Sequence, residues 1–134
     1  MKTKDKVANA IKWIDGLLVT TVKQGECELG NKETGFCCLG YGCYVLNINC
    51  PASQAYSASF ARKVGLEHRA ALFSPPERIG GLGYNSLVEL NDSSGMNFSQ
   101  IAKFMISRDF SMFEDDVAAG LVEHYKKEQL AVNH

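Results

Sequence analysis

Four of the chain's five cysteines fall between residues 36 and 50, in the run FCCLGYGCYVLNINC, with no histidine or acid among them. Thiols so grouped could hold a metal, form a disulfide frame, act as nucleophiles or fill a core. The spacing Cys27, Cys37, Cys38, Cys43, Cys50 contains no C-x-x-C, and adjacent cysteines are poorly disposed to ligate one tetrahedral ion. An odd count does not pair up, and a reducing compartment keeps thiols reduced. The flanking Phe36, Leu39, Tyr44, Val45, Leu46 and Ile48 are core-like, and cysteine is among the most buried residue types. The cluster therefore reads as packing, with no metal and no cofactor.

Nucleophilic chemistry needs a base within reach of the thiol. The three histidines are His68, His124 and His134, none of them beside the cysteines. The acids Asp115 and Asp116 suit the first turn of a helix. GGLG at 80–83 lacks the spacing and the strand-to-helix setting of a phosphate loop, and no G-x-S-x-G, H-E-x-x-H or Walker pattern occurs. The expectation is a protein that is not an enzyme.

A nucleotide-type ligand would draw on another set of residues, because it needs stacking faces, hydrogen-bonding edges and guanidinium groups for phosphate. Tyr84, Phe98 and Trp13 could supply the faces, Asn91 and Asp92 the edges, and Arg62, Arg69, Arg78 and Arg108 the charge. Each has a plainer reading. Phe98 and Trp13 fit a core, Asn91 and Asp92 fit a capping loop, Arg62 fits a solvated face, and Arg108 fits a surface ion pair.

The elements that must position these side chains are mostly helical. At 134 residues, 46% hydrophobic and 22% charged, the chain is expected to form one domain over 1–134. The expected class is α+β, helix-rich, with a small antiparallel β hairpin near residues 19–38. Val7, Ile11, Ile14 and Leu18 predict a helix over 4–18 with Thr3 as N-cap. LLVTTVKQ and ECELGNKETGFCC carry the β-branched and turn residues of the hairpin. Leu39–Ile48 reads equally as a glycine-weakened helix or a strand. Further helices are expected over 53–64, from Asn85 through Leu90, from a capping box of Asn97 and Gln100, and beyond Ser111 and Glu114.

The net charge of −1 points away from nucleic acid and membrane surfaces, and no stretch has the length and apolarity of a membrane span. LVELNDSSGMNFSQIAKFM can be laid on a helix-turn-helix. The chain then continues SRDFSMFEDDVAAGL, whose acids would repel phosphates.

Several of these residues together resemble a family. Trp13 in the first helix, Lys23-Gln24-Gly25, the CCLG of 37–40 followed by Cys43, Val64-Gly65-Leu66, and Leu90-Asn91-Asp92 followed by Phe98, Ile101 and Ala102 resemble small accessory proteins encoded by bacteriophages, over residues 10–105. Within that group the arrangement is also similar to the Thoeris anti-defence sponges, which bind cyclic ADP-ribose-type signals without cleaving them. Asn91 and Arg108 are the points of similarity. The resemblance implies a phage-encoded protein of the host cytoplasm that sequesters a nucleotide-type immune signal without catalysis, using Asn91, Asp92, Arg108, Tyr84, Phe98, Trp13 and Arg62, and acting as a homo-oligomer, by default a dimer. The alternatives are an inhibitor of a host protein and a helix-turn-helix regulator.

Overall fold

A computed structural model of the chain describes residues 2–25, 30–31, 35–48, 58–67 and 96–132. Within them the fold is helix-rich. The first helix, α1, runs Thr3–Val19 and buries Ala10, Trp13, Ile14 and Leu17. Those positions recur at helical spacing up to Leu17, and this carries the helix through LLV, which reads in sequence as the start of a strand. The expected hairpin shrinks accordingly. The β element is two residue pairs, Gly30 with Phe36 and Asn31 with Gly35, formed by β1 (Gly30–Asn31) and β2 (Gly35–Phe36). Thr20–Gly25 does not form the other arm: Gln24 makes a single parallel bridge to Phe36.

Thr3 is not the N-cap. Lys2 holds that place without a side-chain bond, while the Thr3 hydroxyl donates to Asp116 at the far end of the chain. That bond is the largest cause holding the Asp116 carboxyl below its ordinary value of 3.8. A depressed acid stabilises the fold above its ordinary pKa and loses the contribution as pH falls through the folded value. Thr3→Val should therefore narrow the stability difference between pH 6 and pH 3 in urea melts; an unchanged difference would show that this bond carries no pH dependence.

The ambiguous segment resolves as α2, Cys38–Val45, whose residues 38 to 43 are all buried. Burial on every side removes the amphipathic period by which helices are recognised. Cys37 caps it, its Sγ accepting the Gly40 amide at 3.4 Å. Cys37, Cys38 and Cys43 are buried thiols, as expected for packing atoms; Cys27 and Cys50 lie outside the described residues. Gly42 lets α2 meet α3, since a Cβ there would stand 2.2 Å from the Phe60 ring.

Three further helices follow: α3 (Ala58–Val64), α4 (Phe98–Ser107) and α5 (Asp115–Val132). Residues 53–57 and the helix expected over 85–90 lie outside the described residues. The capping box at α4 forms: Asn97 Oδ1 accepts the Gln100 amide at 2.8 Å and Gln100 Oε1 accepts the Asn97 amide at 2.9 Å. All four other described helices pack on α1, which runs through the core. Its Trp13, with Phe60, Phe113, Ile101, Met105 and Leu121, is wholly or almost wholly buried.

Three helices leave by one device. After α2, α3 and α4 the chain turns left-handed at Asn47, Gly65 and Asp109. The amides of Ile48, Leu66 and Phe110 then reach back to the carbonyls of Cys43, Ala61 and Met105. This six-to-one bond with an apolar residue after the turn is the Schellman motif. Two of the exits are stitched together, Glu67 to Met112 at 2.9 Å and Glu114 to Gly65 at 2.8 Å. Only one of the three turns uses glycine. Asp109→Gly should raise stability by about 0.5 kcal/mol, the left-handed strain relieved less the added freedom of the unfolded chain. A lower midpoint in urea would mean that the Asp109 side chain stabilises the turn.

Candidate functional site

A cleft of about 290 Å³ opens between the C-terminal end of α1 and the N-terminal end of α4. Leu17, Leu18, Val22 and Phe98 give it an apolar floor, and Thr20, Thr21, Gln24, Asn97 and Ser99 give it hydroxyl and amide groups. One wall is the extended segment after α1. Two backbone bonds hold that wall to β2, Gly25 to Phe36 at 2.7 Å and Phe36 to Lys23 at 2.9 Å. Gly35 makes the approach possible, being left-handed with φ 91° and placed where a Cβ would stand 2.8 Å from the Gln24 backbone. On the other side Gln24 Nε2 donates to the Met96 carbonyl at 2.8 Å, tying the wall to the entrance of α4.

The floor has an aromatic backing. Phe98 lies 5.3 Å from Tyr41 of α2, Tyr41 lies 6.4 Å from Tyr44, and Tyr44 stacks on Phe36 at 5.3 Å. Edge and offset ring pairs of this kind fix side-chain orientation beyond what area burial does. Tyr44 reaches the surface with 46% of its area exposed, and Val19, next to the cleft residues Leu18 and Thr20, is 79% exposed.

Of the residues expected from the sequence to bind a ligand, Trp13, Phe98, Arg62 and Arg108 are described, and they stand at separate places in the fold. Trp13 belongs to the core and leaves the set. It is completely buried, its ring set edge-on to Phe60 at 4.9 Å and its Nε1 donating to the Cys38 carbonyl at 3.0 Å, so protein atoms occupy the faces a base would need. Phe98 is buried too, yet one part of it lines the cleft. Arg62 is exposed in the last turn of α3. Arg108 caps the C-terminal end of α4, its guanidinium 5.2 Å from the Phe104 ring centre. A cation there complements the negative end of the helix dipole. Asn91, Asp92 and Tyr84 lie outside the described residues.

Sequence reasoning missed most of the cleft. Thr20, Thr21 and Val22 read as a strand, and Asn97 only as a cap. A signal was nevertheless present in the resemblance: Gln24 of the K-Q-G turn and Phe98 of the F-x-x-I-A motif both line the cleft, and α2, which carries CCLG, supplies the ring behind Phe98. Of the other motif positions, Leu90, Asn91 and Asp92 lie outside the described residues. Gly65 and Leu66 form a helix exit, and Ile101 and Ala102 are fully buried.

The α4–α5 pair departs from a helix-turn-helix. Seven residues, 108–114, connect the two helices where that motif uses three or four, and each helix packs mainly on α1. Among the described residues no helix is long and apolar enough to cross a membrane, and no group of three or more His, Cys, Asp or Glu could hold a metal ion. No protein-family model, curated protein or solved structure matches the chain.

Proposed function

We propose that this chain is a phage-encoded anti-defence protein that binds and sequesters a nucleotide-type immune signal, cyclic ADP-ribose-like or a cyclic oligonucleotide, in the host cytoplasm and without catalysis. The observation that carries the reading is the cleft at the start of α4. It joins an apolar floor to a few hydroxyl and amide groups, which is the composition of small-molecule sites, and it is built from two of the motifs behind the phage resemblance.

Arg108 enters this reading through a second copy of the chain. The ten residues of α4 span on the order of 15 Å, so Arg108 and the cleft stand at opposite ends of one helix. A twofold axis would set the C-terminal end of one α4 against the cleft of the other, where the guanidinium could neutralise phosphate. Arg108→Ala should then weaken binding by about 1.5–3 kcal/mol, the scale of a lost hydrogen bond to a charged group, with little change in melting temperature. Unaltered affinity by calorimetry would remove Arg108 from the site, and unfolding would make it structural.

A second reading is an inhibitor of a host protein. It is favoured by Val19 and Tyr44, the large apolar side chains most exposed among the described residues. Val19→Asp with Tyr44→Ser separates the two: the pair should abolish anti-defence activity in infected cells while sparing nucleotide binding only if a protein is the target.

A further inference from the structure

We propose that the cleft takes the uncharged nucleoside end of the ligand, base and ribose together, and leaves the phosphates outside; this rests on the nucleotide-binding reading above. The lining is the first argument. Among the described residues none of the nine side chains that line the cleft is charged, and a phosphate buried without a cation would forfeit several kcal/mol of hydration. Thr21, Ser99 and Gln24 are the size and type of groups that hydrogen-bond ribose hydroxyls and base edges, while the half-buried Leu18 and Val22 offer apolar surface to a ring.

The start of α4 supplies the second argument. A helix N-terminus attracts anions through its unsatisfied amides, but here the capping box has engaged two of the groups involved. The Gln100 amide is bonded to Asn97 Oδ1 and the Asn97 amide to Gln100 Oε1. The site is thereby less electropositive than an open helix start.

Size is the third. About 290 Å³ lies just below the range of ligand pockets, roughly 300 to 1,000 Å³. It suits one nucleoside and not a whole cyclic oligonucleotide. The charged remainder must then project past the rim into solvent.

Calorimetric titration of the full chain with adenosine, inosine, ribose 5-phosphate, inorganic phosphate and ADP-ribose isomers tests this, each at low salt and at about 0.5 M salt, where surface charge is screened. The expected result is that one nucleoside binds no more than about two hundredfold more weakly than its parent nucleotide, the loss that the Arg108 contact accounts for, that its affinity is insensitive to salt, and that Thr21→Trp removes it while melting like the wild type. Nucleotide binding without nucleoside binding, or binding of ribose 5-phosphate or phosphate alone, overturns the inference and leaves the nucleotide reading standing. Silence from every nucleotide and nucleoside overturns both.

Discussion

Trp13→Ala should destabilise the chain by about 3–5 kcal/mol, the range for deleting a large aromatic side chain from a core. The indole is completely buried and touches three other parts of the fold. Its ring meets Phe60 of α3 at 4.9 Å and Phe113 of the turn before α5 at 6.4 Å, and its Nε1 bonds the Cys38 carbonyl of α2. The cavity left behind would be lined by groups on separate helices, which can collapse inward only by moving the helices. Urea unfolding should show a much lower midpoint with an unchanged slope, and Trp13→Phe should fall between the variant and the wild type. Were Trp13→Ala instead as stable as the wild type but deficient in ligand binding, the ring would have to face a ligand, and the core described here would be wrong.

Gly42→Ala should cost about 3 kcal/mol, at the upper end for overpacking by a single methyl. The added carbon would fall 2.2 to 2.6 Å from three atoms of the Phe60 ring. That ring cannot swing aside, because it is 1% exposed and set against Trp13. Alanine is otherwise the better helix former by about 1 kcal/mol, so a local propensity argument predicts the opposite sign. Rescue by Phe60→Leu in the same background would place the conflict at this contact. Gly42→Ala raising the melting temperature would mean that α2 and α3 stand farther apart than described.

These two residues also indicate how far the sequence could be read. Trp13 sits at the edge of the stripe Val7, Ile11, Ile14, Leu18, and the helix it belongs to was legible because α1 buries one face of a regular pattern. The capping box at Asn97 and Gln100 was legible for a similar reason: both partners are three residues apart, so their chemistry is local. The helix α2 was not, since its Gly40 and Gly42 weaken helix propensity and its first six residues are all buried, whichever way they face. What settles it is contact with α1 and α3, which a local pattern does not contain. The exits at Asn47 and Asp109 were hidden because they use residues that tolerate the left-handed region without requiring it.

The cleft was the least legible feature. Its walls come from residues 17–24 and 97–99, more than seventy positions apart, and their juxtaposition depends on α4 packing against α1. Type alone pointed to Arg62, Arg108 and Trp13, which the fold sets at two helix ends and in the core. The motifs added to what the residue types gave: Phe98 stood in both readings, whereas Gln24 was singled out only as part of a pattern.

The central claim is that this cleft binds a nucleotide-type signal, and a heat-shift panel tests it most directly. Wild type, Ser99→Trp and Thr21→Trp would be melted with cyclic ADP-ribose isomers and cyclic oligonucleotides. A ligand at about a hundredfold over its Kd should stabilise the wild type by about 2.7 kcal/mol, a rise of several degrees for a chain of this size. The account predicts such a rise for at least one compound and its loss in both variants, whose melting without ligand matches the wild type. A flat response of the wild type across the panel, or an equal rise in the two variants, would contradict it.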